Sequence, residues 1–578
     1  MKNHLLGRLN IYHIVLILAF PIGLALINPN WVFNVQMWDD YFYLGYQTAL
    51  PRYVDWLPSV DHYFIERISW LAPTYHIRQL FSPLLSNFII HFMVYYVTIF
   101  ALYGTINRLW HARIALVIAL LLGQFSLFLR GAGWDYIDGF TTACLTLSVF
   151  FITYAVTTDK LCWRWYLIGC GACLVCMVNA NIFNAIYLPA IVIYGLFLNE
   201  VYHRKKLLYV TLWILLGCVV MFIALTLYYY QLTGRWFIFG NTLAFLQKIS
   251  SDTSIRDIAN GAFANDPAYW HIFFIAILLL SWRLLVNNVK LDKKNQKIIM
   301  ASVSFFILSY STVWLVSSTG TNFFRFSFYH TPILPSAFLV LAIPFAPKVA
   351  QYSPRLFNRL IINIVVLAFI CFALFSAISI TEFLLVLIII LVASLFLTLS
   401  LSPRRQRVML YFVLSIMLFS YLTNIDARYI KVYRLDRYHN QRLYELSSQS
   451  SKIILSRYDD LSHANFYFWF DFFARQPILF NVIYAPFLHE RAIYLDPLHP
   501  IWDDKLTQPQ EIILLTTPDD MSLIMESATH LAWCNGYTIV PIDQYLLGHG
   551  AYQVEMIFIK IVPISRNNMP EYRPICGV

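Results

Sequence analysis

The sequence predicts a mainly α, polytopic transmembrane helical bundle of about thirteen spans, followed by a C-terminal extracytoplasmic α/β or α+β domain. Three observations carry that expectation. Hydrophobic residues make up 59% of the 578 and charged residues only 12%, against roughly 25% charged in soluble proteins. Such a chain cannot cover its own surface with polar groups, so lipid must solvate much of it. Apolar runs long enough for a hydrocarbon core of about 30 Å recur along most of its length. Beyond about residue 424 the pattern shifts to short β-rich stretches between polar segments.

Taken in order, the spans fall at 11–28, 85–107, 112–130, 137–157, 164–179, 181–199, 207–230, 269–287, 299–318, 329–346, 361–379, 382–401 and 408–424. The first run is long enough to cross and has no small-residue cleavage site after it, so it reads as a retained signal anchor. Residues 1–424 form the expected membrane domain, with two long loops at 29–83 and 231–268. Connectors of that length are usually functional. The first loop is rich in Trp, Tyr and Phe, and a run such as Tyr63–Leu71 suggests short interfacial helices. Residues 425–578 are the expected soluble periplasmic domain, with strands at 452–455, 492–495, 511–515, 537–541 and 554–562.

Charge placement sets the orientation. Basic clusters such as Arg204–Lys206, Lys290–Lys297 and Arg404–Arg407 alternate with poorly basic loops. With the N-terminus in the cytoplasm, about 20 Lys and Arg lie inside and about 8 in the longer outer loops, as the positive-inside rule requires. An odd span count then places the tail in the periplasm of an inner-membrane protein. The net charge of +10 is thereby explained by loops facing anionic lipid, with no nucleic-acid partner. Carboxylates run the other way: the outer loops hold Asp39, Asp40, Asp135, Asp138 and several more, the inner ones only Asp159, Glu200 and Asp292. Acids contribute little to topology, so an outer working surface is expected, with solvated loop charge as the plainer alternative.

Three segments concentrate the chemistry. In Met37–Gln47 the adjacent Asp39 and Asp40 sit among Trp38, Tyr41 and Tyr43. Two neighbouring acids repel and partial burial raises one of them, which suits a general base. A helix cap with a first-turn acid would read the same way. In Arg130–Phe140, Asp135 and Asp138 are three apart and share a helix face, with capping again the alternative. In Thr321–Ser336, Arg325 is the loop's only charge, and Tyr329 and His330 lead into a span before two prolines. A lone arginine at the lipid surface can hold a phosphate through a bidentate contact, or merely a lipid headgroup.

The order and sidedness of these segments resemble the GT-C superfamily of integral membrane glycosyltransferases, which includes protein O-mannosyltransferases and the aminoarabinose transferase of lipid A. The likeness covers roughly residues 1–346. It implies a polyprenyl-phosphate-linked sugar donor, a glycan, lipid or protein acceptor, membrane lipid around the bundle, and inversion at the anomeric carbon. Asp39-Asp40 stands where many members have Asp-Glu, so Asp39 inherits the base role, with the departure at Asp40 leaving either acid to act. Asp138 matches the second acid of the family, with Asp135 as the alternative. Chemistry agrees: nucleotide sugars are absent outside the cytoplasmic membrane, and a leaving lipid phosphate needs positive charge. Arg325 is the first choice for it, with Arg67, Arg78 and Arg235 in reserve, while Trp38, Tyr41 and Tyr43 could stack on a sugar.

No metal is assigned. Cys170, Cys173 and Cys176 have helical spacing within a span and read as small-residue packing. His62, His76 and His330 read as interfacial hydrogen-bonding groups, and Cys534 with Cys576 could form a disulfide. Some GT-C members need a divalent metal and others none, which leaves that cofactor open. The competing functions are an O-antigen polymerase or ligase, and a lipid-linked glycan flippase or transporter. The latter predicts mid-membrane charges, whereas every Lys and Arg here fits a loop, a span end or the tail.

Overall fold

The computed structural model describes residues 11–27, 29–32, 63–81, 83–133, 136–158, 162–202, 206–251, 269–287, 293–318 and 327–350, isolated positions at 43–51 and 357–366, and five strands between 453 and 563. The chain divides into two units. One is Met1–Asn34, Val60–Pro73 and Asn87–Val432; the other is Val35–Ser59, Thr74–Ser86 and Tyr433–Val578. The helices are α1 (Ile11–Ile27), α2 (Ile68–Leu80), α3 (Pro83–Leu109), α4 (Ala112–Gly123), α5 (Ser126–Ala132), α6 (Ile137–Thr157), α7 (Trp163–Ala180), α8 (Leu188–Tyr202), α9 (Leu207–Thr233), α10 (Gly240–Ser251), α11 (Tyr269–Asn287), α12 (Lys293–Ser318) and α13 (Leu334–Ala350). Four 3₁₀ turns join them: η1 (Pro29–Val32), η2 (Tyr63–Glu66), η3 (Ile182–Tyr187) and η4 (Ser327–Ile333).

Among the described residues six helices are long and apolar enough to cross a membrane, and the bent pair α4–α5 makes a seventh. Helices occupy the first ten predicted spans. Those at 361–379, 382–401 and 408–424 lie outside the described residues, apart from a few positions near 361–366. The predicted run 112–130 is helical but breaks at Gln124 and Phe125 with a bend of 71°. Helical end signals are local: His111 accepts the backbone N–H of Arg113 at the start of α4, and Gly234, with φ of 69°, closes α9 by donating its N–H to Tyr230 at 2.8 Å.

Small residues set the close approach of α7 and α9. A Cβ on Gly171 of α7 would stand 2.0 Å from the Ile214 carbonyl oxygen of α9, and one on Gly217 would stand 2.1 Å from that of Ile168. Each helix is thus notched for the backbone of the other, as small-residue interfaces in lipid require. Cys218 donates its thiol hydrogen to the Gly171 carbonyl at 3.4 Å across this contact, and Cys170 lies buried one residue away. Close packing against α9 therefore accounts for Gly171 in α7. The other face of α9 exposes Leu212, Leu216, Val220 and Ile223, a stripe whose natural solvent is lipid.

In the second unit, strands β1 (Ile453–Arg457), β2 (Ile478–Asn481), β3 (Gln510–Thr516), β4 (Tyr537–Leu547) and β5 (Val554–Pro563) form one mixed sheet in the order β2-β1-β3-β5-β4. β1 runs parallel to both β2 and β3, while β5 pairs antiparallel with β3 and β4. β4 is an edge strand, and its ladder shifts register at Pro541 and Asp543, where a residue without an N–H does least harm. Strands lie at four of the predicted positions; 492–495 falls outside the described residues, and β2 was not anticipated.

Candidate functional site

The segment between α5 and α6 is built for close backbone approach. A Cβ on Gly133 would sit 1.5 Å from the carbonyl oxygen of Trp31 in η1, and one on Gly139 would sit 2.2 Å from that of Gly131. The glycines of Arg130–Phe140 therefore let the end of α5 meet η1 on one side and the start of α6 on the other without side chains between them. His91 of α3 secures the same corner through a 2.9 Å hydrogen bond to the Ala132 carbonyl.

Asp138 lies on the first turn of α6, where a helix favours negative charge, and is only 1% exposed. It is not a solvated surface cap: Tyr136 holds the cap position without a side-chain bond. The Asp138 carbonyl accepts the hydroxyls of Thr141 at 3.0 Å and Thr142 at 2.6 Å, which stiffens this turn. A buried carboxylate held at a helix start, close after the glycine-rich end of α5, is a site-like arrangement.

Arg67, between η2 and α2, is buried against aromatic faces. Its guanidinium carbon lies 4.8 Å from the ring centre of Tyr63, 5.5 Å from Phe64 and 6.0 Å from Tyr136. Tyr63 also stacks on Phe64 and on Phe245 of α10, at 4.3 and 4.4 Å. The fold thus brings a cation from the first long loop to the residue two before Asp138. Arginine is suited to this, because its weakly hydrated plane tolerates stacking.

Its neighbour Glu66 was not anticipated as a site residue. One carboxylate oxygen accepts the N–H of Asn241 at 2.6 Å; the other accepts the N–H and hydroxyl of Thr242 at 2.8 and 2.6 Å. Glu66 thereby caps α10 and ties the two long loops together. Burial pushes its carboxyl up from the usual range, while the bonds from Thr242 and Asn241 and the charge of Arg235 pull the other way. Arg235 itself is exposed, in the turn after α9. Asn179 completes the joint, accepting the N–H of Ser69 and donating to the Glu66 carbonyl, each at 2.8 Å.

Tyr329 and His330 lie in η4, both buried. The Tyr329 carbonyl accepts the hydroxyl of Tyr187 at 2.9 Å, and the His330 ring stacks on Phe274 with centres 5.8 Å apart. In the second unit, Arg78 of α2 donates its Nε–H to Gln47 at 3.0 Å. Tyr43, Tyr46, Gln47 and Leu50 are all buried at helical spacing. The predicted Trp38, Asp39, Asp40, Tyr41, Asp135 and Arg325 lie outside the described residues. Among the described residues no three His, Cys, Asp or Glu side chains gather as a metal site.

Sequence reasoning also missed Asn179, Asn181, Asn184 and Tyr187. Their signal was present, as polar residues recurring every two or three positions within an otherwise apolar run.

No protein-family profile matches the sequence, and no curated protein is significantly similar to it. Solved structures are. ArnT from Cupriavidus metallidurans bound to undecaprenyl phosphate superposes with a TM-score of 0.54 at 13% identity, over 95% of this chain and 98% of that one. The apo form of ArnT gives 0.50 at 14% identity, over 94% and 97%. The oligosaccharyltransferase AglB from Archaeoglobus fulgidus, in complex with an inhibitory peptide and a dolichol-phosphate, gives 0.41 at 11% identity, over 97% and 75%. The chain shares the fold of ArnT, as the resemblance to aminoarabinose transferase-like proteins implied.

Proposed function

We propose that this protein is an inner-membrane glycosyltransferase that moves a sugar from a polyprenyl-phosphate donor to a glycan, lipid or protein of the cell envelope. The observation that carries the reading is the conjunction of two facts: an ArnT-like fold over nearly the whole chain, and a fully buried Asp138 at the mouth of α6. ArnT is a protein whose structure holds undecaprenyl phosphate, and a lipid-linked donor is what outer-face transfer requires. The positive-inside count supports placing Asp39 and Asp40 on that face, with the tail from about residue 425 as a periplasmic domain.

In the reaction an acceptor hydroxyl oxygen bonds to the anomeric carbon as the bond from that carbon to the phosphate oxygen breaks. Asp39 or Asp40 takes the hydroxyl proton, and polyprenyl phosphate leaves with the bonding pair. Attack opposite the leaving group inverts the anomeric centre. Asp138, with Asp135 as alternative, holds the acceptor or orients the base. Arg325, Arg67, Arg78 and Arg235 are the cations available to the departing phosphate. Trp38, Tyr41 and Tyr43 would face the sugar.

The test is transfer by purified protein, given undecaprenyl-phosphate sugars and cell-envelope acceptors. Wild-type transfer that is lost in Asp39→Asn, Asp40→Asn or Asp138→Asn supports the proposal; full activity in all three removes the assigned site.

A further inference from the structure

The 3₁₀ turn η3, between α7 and α8, carries buried polar groups that no part of the preceding chemistry uses. Asn181 and Asn184 are each 3% exposed. Asn181 spends its side-chain oxygen on the N–H of Phe183 at 3.1 Å, capping η3. The Nδ2 amide of each asparagine has no hydrogen-bond partner among the described residues, and neither has the hydroxyl of Thr331 in η4. Buried donors in native proteins are nearly always matched, so those left over are where a water or a ligand oxygen belongs. In a 3₁₀ helix, side chains three apart eclipse, so Asn184 and Tyr187 share one edge. Tyr187 in turn donates to the Tyr329 carbonyl of η4, which joins the two turns.

The location matches the candidate site. Asn179, at the end of α7, is bonded to Glu66 and Ser69 of the first long loop. Tyr187 is bonded to η4, the turn that carries Tyr329 and His330. The segment Asn181–Tyr187 contains no Lys or Arg and so offers no positive charge to an anion. A phosphate would be a poor guest; a neutral, hydroxyl-rich one would suit these donors.

We infer that η3 is a sugar-binding subsite, in which the Nδ2 amides of Asn181 and Asn184 donate to hydroxyl oxygens of the lipid-linked sugar. This rests on the proposed function and adds to it the residues that read the sugar apart from its lipid phosphate.

The test compares binding of bare undecaprenyl phosphate with that of undecaprenyl phosphate carrying glucose, mannose or 4-amino-4-deoxyarabinose. Binding to detergent-purified protein is followed by thermal shift. Wild type is expected to bind at least one sugar-bearing lipid more tightly than the bare one. Asn184→Leu, near in volume but without an amide, and Asn181→Ser, which keeps a capping oxygen, each weaken that lipid by about tenfold, the worth of a hydrogen bond or so. Both bind bare undecaprenyl phosphate as wild type does, and Asn184→Gln restores part of the increment. If Asn184→Leu does not fold, Asn184→Ala carries the same comparison. A sugar increment unchanged in the variants overturns the subsite and leaves the glycosyltransferase reading intact. Equal loss for bare and sugar-bearing lipid assigns the amides to phosphate or to structure, and also overturns it. No increment for any sugar in wild type removes the proposed function, and the subsite with it.

Discussion

Substituting Gly133 by alanine is the sharpest perturbation the fold allows. The added Cβ would begin 1.5 Å from the Trp31 carbonyl oxygen and 2.6 Å from its carbon. Real Cβ contacts essentially never fall below 3.0 Å, so the corner between η1 and the end of α5 must open by about 1.5 Å. Both partners are backbone, so no side chain can swing away. Overpacking of this kind costs about 1–3 kcal/mol. Because the displacement occurs five residues before Asp138, a second penalty follows: misplacement of about 1 Å can cost about 100-fold in rate. Gly195→Ala is the matched control, since its Cβ would make only an ordinary 3.4 Å contact with Ile152. Melting temperature in detergent and sugar transfer from undecaprenyl-phosphate donors would be measured for both variants. Gly133→Ala is expected to melt lower and to transfer about 100-fold more slowly, with Gly195→Ala close to wild type in both. A Gly133→Ala protein that matches wild type in stability and rate would refute the close-approach reasoning.

Three further outcomes are expected. Asp138→Asn, nearly isosteric at a buried site, keeps the melting temperature within a few degrees but lowers transfer by about 100-fold or more; unchanged turnover would exclude Asp138 from the chemistry. Glu66 has a carboxyl raised by burial, so the folded state holds its proton to higher pH than the unfolded chain. Its contribution is full below the ordinary value of 4.5 and is lost as pH rises through the raised folded value. Melting curves between pH 4 and 8 should therefore slope downward in wild type and less so in Glu66→Gln, and parallel slopes would contradict this assignment. Arg67→Lys replaces a planar cation over three rings with a point charge and should cost about 1 kcal/mol; circular-dichroism melts that coincide with wild type would show the stacking to be idle.

What the sequence made legible follows from the range of each interaction. Long apolar runs such as Ile137–Thr157 announce a helix because lipid demands both length and apolarity over consecutive residues. The bend at Gln124 stays hidden, since an apolar stretch reads the same whether it is straight or broken; only tertiary packing distinguishes them. Asp138 stood out because an acid beside a span end is costly and local to see. The role of Glu66 did not, because its partners are 175 and 176 positions away, in a loop that no pattern links to it. Asn181 and Asn184 were absorbed into a predicted span, where period and mean apolarity outweigh two amides. Their meaning appears only once η3 is seen to be a 3₁₀ turn with buried donors.

Sidedness of the Asp39–Asp40 segment is the most direct test of outer-face sugar transfer. A single cysteine at position 40, in a background whose native cysteines are replaced, would be exposed to a membrane-impermeant maleimide in intact cells with a permeabilised outer membrane. Labelling without disruption of the inner membrane is the predicted result. A cysteine that reacts only after the inner membrane is opened would place these carboxylates in the cytoplasm and contradict the function.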